Sequence, residues 1–178
     1  MNKYLSYSFL YDPPGDLRCD FEILTDEISS MIGFLRSLTD DDIIREDLCK
    51  LNELIYHVNP TLRKRTAITA EELEWLLGRT KKMQAEIQDS FTAAAPKTNL
   101  PRFVVPQGCS AAAYSHIIRN KCKAAVRLLY RHQQQGNRVD DIVFDFINLS
   151  SGYFFSLALK LNKDQGVEEK EFLSRVYT

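Results

Sequence analysis

The sequence lacks the short motifs that identify most nucleotide-binding and hydrolytic enzymes. It contains no G-x-x-x-x-G-K-[ST], no G-x-G-x-x-G after a strand pattern, no G-x-S-x-G and no H-E-x-x-H. Each of these spacings serves one chemistry: a phosphate cradle, a dinucleotide turn, a strained nucleophile or a zinc-bound water. Their absence argues against a P-loop, Rossmann, α/β-hydrolase or zincin enzyme.

Cysteine is also scarce, and its spacing argues against the common cysteine-based sites. The cysteines lie far apart, with no C-x-x-C pair and no secretory signal before them. The four are Cys19, Cys49, Cys109 and Cys122. The three histidines, His57, His116 and His132, show no zinc-type spacing with them. We therefore expect free thiols and no metal site.

Neither an excess of one charge nor a long apolar run is present. Lys plus Arg number 23 against 24 for Asp plus Glu, so no overall field attracts nucleic acid or an anionic membrane. No stretch approaches the ~20 uncharged apolar residues that span a bilayer, and no apolar leader is visible. With 178 residues, of which 44% are hydrophobic, we expect one cytoplasmic domain with a sizeable core.

The N-terminal residues differ in pattern from the rest of the chain. YLSYSFLY and LRCDFEI alternate polar and apolar residues, and DPPGD between them is typical of a turn. We therefore predict a hairpin or extended segment over residues 1–24. Residues 25–178 are predicted to form a helical bundle, and both parts belong to a single domain.

From residue 25 onward, apolar residues recur at helical spacing, and capping residues mark where helices begin. Helix starts are predicted at Thr25, Thr39, Thr69, Ser110 and Asp140. Asn59-Pro60 ends the second helix, and Thr69 with Glu72 has the form of a capping box. NLPRFVVPQG is predicted to be an extended loop, and VEEKEFLSRVYT a short C-terminal helix. The sequence thus predicts an all-α, antiparallel five-helix bundle.

A line of basic residues on the fourth helix is the first candidate site. His116, Arg119, Lys123 and Arg127 recur at spacings of three, four and four, which places them on one helix face. One interpretation is a face turned to solvent. The other is a face that meets acids of another helix or follows an anion, because the line contains no acidic residue of its own.

Three further candidate residues lie on the first and fifth helices. Asn148 and Gly152 lie one turn apart on the fifth helix. Glycine inside a helix costs about 0.5 to 1 kcal/mol relative to alanine, so Gly152 marks either a tight helix crossing or the approach of a ligand. Asp26, near the start of the first helix, either complements the helix dipole or belongs to a site.

Three segments, taken together, resemble one protein family. LPRFVVPQGCSAAAYSHIIRNKCKAAVR resembles L-P-x-F-x-x-P-G-G followed by L-H-x-A-R-x-x-x-R-R-A-E-R, with Phe103 and Arg119 matched without a gap. FINLSSGYFFSLAL is similar to F-x-N-R-L-S-D-x-L-F-x-L-A-R, and TDEISSMIGFLRSL is similar to V-D-E-L-N-S-x-I-G-x-A-R. On these segments the chain resembles the ATP:cob(I)alamin adenosyltransferases of the trimeric, propanediol-utilisation type.

The resemblance implies a bundle subunit that forms homotrimers with active sites between neighbours. There, a Co(I) corrinoid attacks the 5′ carbon of ATP and triphosphate leaves. By the same resemblance, Phe103 packs under the corrin ring and keeps a lower axial ligand away from cobalt. Arg119 and Asp26 match a catalytic pair that bridges subunits, and Asn148 and His116 match residues of the corrinoid pocket.

Departures from the family pattern fall mostly on the ATP side. Lys123 and Arg127 match ATP-binding cations, but Lys123 replaces an arginine and Val126 replaces the family's glutamate. Leu149 and Gly152 stand where the family has an arginine and an aspartate. The N-terminal segment also lacks the glycine pattern that supplies backbone donors to the triphosphate.

These departures predict a corrinoid-binding member in which ATP-dependent adenosyl transfer is impaired or absent. Cobalamin or a related corrinoid is the expected ligand, whereas binding of ATP with Mg²⁺ is expected to be weak. Two alternatives stay open: an active but divergent ATP:cob(I)alamin adenosyltransferase, and a non-catalytic helical assembly protein.

Overall fold

Over the residues that the structure describes, the chain folds into an antiparallel bundle of five α-helices. The structure, a computed structural model, describes residues 9–64, 68–94 and 103–176. A short 3-10 helix, Asn59–Leu62, directly follows the second α-helix. The α-helices are α1 (Leu17–Ser37), α2 (Asp42–Val58), α3 (Ala70–Ala94), α4 (Ser110–Gln134) and α5 (Asp141–Asp164). The predicted all-α fold class is confirmed.

The start of α1 differs from the prediction. The helix begins at Leu17 because Asp16 provides the cap, its side chain accepting a hydrogen bond from Arg18 N at 3.1 Å. The predicted start at Thr25 is wrong. Thr25 is buried in the middle of the helix, where its Oγ1 donates to the carbonyl of Phe21 at 2.8 Å.

The predicted hairpin is wrong in its second strand, and the predicted boundary after residue 24 falls inside α1. LRCDFEI is helical, since Leu17 and Phe21, one turn apart, are both buried in the core. The alternating pattern of this segment is equally compatible with a helix that buries every fourth residue. Most of the predicted first strand lies in residues 1–8, outside the described residues.

Capping side chains set the starts of α2 and α3. α2 begins after Asp41, whose Oδ1 accepts from Ile44 N at 3.0 Å, so the predicted start at Thr39 is wrong. The capping box before α3 is confirmed. Thr69 N donates to the Glu72 carboxylate at 2.8 Å, and Glu72 N donates to Thr69 Oγ1 at 3.3 Å.

The segment after α5 is extended, so the predicted C-terminal helix is wrong. Val104 and Glu171 form an isolated antiparallel bridge. Beside it, Val105 N donates to the carbonyl of Lys170 at 2.8 Å, and Phe172 N donates to the carbonyl of Phe103 at 2.9 Å. These backbone groups pair with the loop before α4, which leaves them unable to form a helical turn.

The hydrophobic core contains residues from all five α-helices. α5 packs against both α3 and α4, and α1 packs against α2 and α4. Phe146, Tyr153 and Phe154 of α5 are fully buried. By length and composition α5 could cross a membrane, but 61% of its apolar stretch is buried inside the bundle. That degree of burial is typical of a core helix.

A buried ion-pair cluster fixes the residues before α1 onto the bundle. Arg63, just after the 3-10 helix, contacts Asp12 and Glu22, each at 2.5 Å. Its guanidinium carbon also lies 3.8 Å from the ring centroid of Phe9. The Glu22 side chain is only 4% exposed. Burial alone would lower the pKa of Arg63, but its hydrogen bonds to Glu22 and Asp12 outweigh burial and raise this pKa.

Replacing Arg63 with methionine is expected to destabilise the fold strongly. Arg63→Met leaves the buried Glu22 carboxylate without its cation, which costs about 3–5 kcal/mol of unfolding free energy. Arg138→Met is the matched control, because Arg138 is 92% exposed and pairs with Asp140 at 3.4 Å. That exposed pair contributes at most about 1 kcal/mol. Chemical denaturation of both variants measures the difference, and equal losses would contradict the role of the cluster.

Candidate functional site

The antiparallel contact of α4 and α5 brings predicted site residues together around one aromatic ring. His116 of α4 is 2% exposed, and its ring centroid lies 6.1 Å from that of Phe155. The guanidinium carbon of Arg119 lies 4.9 Å from the same Phe155 centroid. Phe155 was not singled out from the sequence, although it follows Gly152 by one turn within FINLSSGYFFSLAL. His116, Arg119 and Phe155 form what we call the aromatic-cation cluster.

The register of the two helices brings Lys123, Asn148 and Gly152 near this cluster. The ring contacts of His116 with Phe155 and of Tyr130 with Phe144 fix the pairing at two levels. Because the two helices run antiparallel, this register predicts that Lys123, midway between the two levels on α4, lies level with the turn of α5 that carries Asn148 and Gly152. The five residues that share this side of the bundle, the α4–α5 surface, are Arg119, Lys123, Asn148, Gly152 and Phe155.

Burial disfavours the charged forms of the groups in and beside the cluster. It lowers the pKa of His116, with a further contribution from the positive charge of Arg119. Both ring nitrogens of His116 are buried without a hydrogen-bond partner. Burial also lowers the pKa of Arg119, and of Lys123, on which Arg119 acts as well. His116 is therefore neutral at pH 7, and the Arg119 guanidinium is only partly solvated.

The cations of this line have no acidic partner within the part of the chain that the structure describes. Arg119, Lys123 and Arg127 form no ion pair there, whereas neighbouring Lys121 pairs with Glu27 at 2.5 Å. Arg127 is exposed, as is Lys123. An unpaired, partly desolvated guanidinium is a ready binding group for an anion or a carboxylate from another molecule.

Asp26 does not contact Arg119 within one chain. Asp26 is exposed on α1, and its Oδ1 accepts a hydrogen bond from Tyr56 Oη at 2.7 Å. Tyr56, in the last turns of α2, was not identified from the sequence because nothing in its local pattern distinguishes it from a surface tyrosine. Asp26 and Arg119 are therefore not paired within one chain. Their pairing between two different subunits stays a prediction.

Phe103 lies in the extended segment before α4 and is 63% exposed. Among the described residues it makes no ring contact with the aromatic-cation cluster. Its backbone is fixed by the pairing with the segment after α5, whose Phe172 is also 52% exposed. The extended loop predicted here is confirmed for its described part, and it presents an aromatic ring to the outside.

Gly152 leaves open space rather than allowing a tight helix crossing. A Cβ atom built at this position would meet no atom within 4 Å outside its own helix backbone. The crossing interpretation is therefore wrong, and the missing side chain instead leaves room beside Phe155, one turn along α5. Asn148, one turn in the other direction, is exposed on the same helix face.

The sequence of this chain is similar to a protein family and to two curated proteins. Residues 16–161 match the sequence profile of the family described as cobalamin adenosyltransferase. Corrinoid adenosyltransferase of Bacillus subtilis is 27% identical over 148 residues, covering 83% of this chain and 75% of that protein. Human corrinoid adenosyltransferase MMAB is 28% identical over 155 residues, covering 84% of this chain but only 60% of the human protein.

Solved structures agree in fold. A phenylalanine-to-histidine variant of the PduO-type ATP:corrinoid adenosyltransferase from Lactobacillus reuteri, complexed with cobalamin and ATP, superposes with a TM-score of 0.68. It is 20% identical, and the match covers 90% of this chain and 84% of that one. An arginine-to-lysine variant of the same enzyme, complexed with ATP, gives a TM-score of 0.69 at 22% identity, covering 89% and 88%. With most of its length matched by the family profile, the chain belongs to the cobalamin adenosyltransferase family.

Proposed function

We propose that this protein binds cobalamin or a related corrinoid in the cytoplasm, and that ATP-dependent adenosyl transfer is impaired or absent. The observation that carries the proposal is the aromatic-cation cluster beside the open space at Gly152. A corrin ring offers a wide apolar face with amide groups at its edge. Phe155 would pack against that face, and Asn148 would bind polar groups at its edge.

Phe103 would complete the corrinoid site from the other side. An exposed phenyl ring has no lone pair to offer cobalt and excludes water from the face that it covers. Corrinoid chemistry supplies the nucleophilic Co(I) centre of the family reaction. The role of this chain would be to hold the corrin ring and to keep a lower axial ligand away from cobalt.

The ATP side offers fewer binding groups. Leu149 and Val126, at the positions of a family arginine and glutamate, are partly buried and pack against the core. Lys123 provides one point charge in place of a bidentate fork. Each lost hydrogen bond to a charged group is worth about 1.5 to 3 kcal/mol. Two or three such losses would weaken ATP binding by several orders of magnitude, since about 1.4 kcal/mol is tenfold.

An active, divergent adenosyltransferase is the second candidate function. The relatives bear that name, and the arginine-to-lysine variant of the Lactobacillus reuteri enzyme is complexed with ATP. A lysine by itself thus does not abolish ATP binding in that protein. The proposal of impaired transfer depends on the combined losses at Leu149, Val126 and Gly152.

Titration calorimetry with corrinoid and with ATP·Mg²⁺ separates these functions. We expect cobalamin to bind and ATP to bind weakly or not at all, and Phe103→Ala is expected to abolish the spectral change of bound Co(II) corrinoid. An adenosylation assay under strong reduction then tests transfer directly. Micromolar ATP affinity with turnover would establish the active enzyme, and no affinity for either ligand would leave only the assembly protein.

We also propose a homotrimer in which Arg119 pairs with Asp26 of a neighbouring subunit. Arg119 has no acidic partner among the described residues of its own chain, and Asp26 is exposed. Apolar side chains on the same two helices are exposed too, including Phe34 and Ile117 at 52% and 46%. A second copy that covers α1 and α4 would bury these residues and supply the missing carboxylate.

Light scattering of charge variants tests this pair. Asp26→Arg and Arg119→Asp are each expected to weaken the trimer, and the double variant is expected to restore much of it because the charges are exchanged. Tyr56→Phe is the control, since it removes the hydroxyl that donates to Asp26 and leaves the charges of Asp26 and Arg119 unchanged. A wild-type monomer at micromolar concentration, or a double variant as weak as the sum of the single variants, would refute the intersubunit pair.

The buried His116 is expected to make stability depend on pH. Burial first, and the charge of Arg119 second, lower its pKa below the ordinary value of 6.5, so the folded state favours the neutral ring. The neutral His116 ring therefore makes its full contribution to folding stability above the ordinary pKa of 6.5. That contribution is lost as the pH falls below 6.5. When the pH is lowered from about 7.5 to about 5, the His116→Gln variant should lose less unfolding free energy than the wild type.

His57→Gln is the matched control for this measurement, because the His57 side chain is 53% exposed. If denaturation curves show the same pH dependence for His116→Gln and for the wild type, the neutral, buried state of His116 is refuted.

A further inference from the structure

Asn162, in the last turn of α5, connects the loop before α4 with the segment after α5. The residue is fully buried. Its Oδ1 accepts from Cys109 N at 3.0 Å, and its Nδ2 donates to the carbonyl of Gln107 at 3.0 Å and to Glu169 Oε1 at 2.8 Å. The amide thus uses its acceptor and both of its donor hydrogens, and it fixes two segments that are far apart in sequence.

Gly108 makes this contact sterically feasible. Its φ is +123°, and a Cβ atom at this position would lie 1.9 Å from Asn162 Oδ1. Only glycine combines that backbone conformation with so close an approach. The loop and the amide of Asn162 are therefore fitted to each other, and Glu169 closes the arrangement from the segment after α5.

The fixed backbone leads directly to Phe103. From Gln107 the chain runs back to Val105, whose N donates to Lys170, and to Phe103, whose carbonyl accepts from Phe172. Val104 between them is buried. The Phe103 side chain itself is 63% exposed, so its position depends on these backbone contacts rather than on packing of its ring.

We propose that Asn162 is a positioning residue that holds the Phe103 ring at the corrinoid surface, an inference that rests on the proposed function. Asn162 would not touch the ligand. It fixes Gln107 and Cys109 on one side and Glu169 on the other, so that the two extended segments stay paired. Without this amide, the segment that carries Phe103 keeps only its own backbone pairing, and the ring loses its defined position.

Asn162→Leu tests the proposal, because leucine fills a similar volume without hydrogen bonds. Hydrogen exchange at the amides of Val105 and Phe172 is expected to accelerate about tenfold or more, while amides within α4 keep their protection. Corrinoid should still bind, but the spectral change of bound Co(II) corrinoid should fall to the level of Phe103→Ala. Combining both substitutions should add no further spectral loss, since Asn162 acts through Phe103.

Two more variants make the test independent of general stability. Gly108→Ala introduces the Cβ clash without altering Asn162, and the same exchange and spectral effects are expected. Asn59→Leu is the matched control, because Asn59 Nδ2 donates to Glu22 O and Thr25 Oγ1, away from Phe103. It should lower stability and leave the Co(II) spectrum unchanged.

Unchanged exchange at Val105 and Phe172 in both Asn162→Leu and Gly108→Ala would overturn the proposal. A wild-type Co(II) spectrum in either variant would overturn it too. If the wild type binds no corrinoid, the proposed function fails, and the positioning role fails with it. In that case faster exchange in the variants would show that Asn162 holds the segment for its structure alone.

Discussion

Burial of α5 is the constraint on which the other features of this structure depend. A helix covered by α3 and α4 must satisfy its polar side chains without water. Ser150 and Ser156 do so locally, by donating to the carbonyls of Phe146 and Gly152 one turn earlier. Asn162 has no such local solution and bonds outside the helix. Through Asn162, the burial of α5 thereby fixes the path of the loop before α4 and of the segment after α5.

The same packing accounts for the unusual electrostatics of the α4–α5 surface. A guanidinium beside an aromatic ring gains a cation–π interaction of about 0.5 to 2 kcal/mol, but this contact uses none of its hydrogen-bond donors. Arg119 is thus tolerated at this position while its binding capacity stays largely unused. A chain selected only for stability would pair or remove this charge, so its presence favours a binding role for the surface.

The sequence predicted the five helices because periodicity and caps are local properties. Thr69 with Glu72 shows this well, since both halves of the capping box lie within one turn. The start of α2 was missed by two residues within one local stretch, and the larger errors arose where distant residues decide the outcome. α1 extends back to Leu17 because its first turns pack on the core. The segment after α5 is extended because a loop more than sixty residues earlier pairs with it. No local pattern identified Asn162 or Phe155, whose roles depend on the register of two helices.

The pairing of residues 103–105 with residues 170–172 also orders events during synthesis. The loop that carries Phe103 leaves the ribosome before α4 and α5, and its partner segment follows only after both helices have been made. Helices dominated by local contacts fold quickly, whereas a contact of this sequence separation must wait for its second half. A nascent chain therefore acquires its bundle first, and the Phe103 loop reaches its final form only once the segment after α5 has emerged.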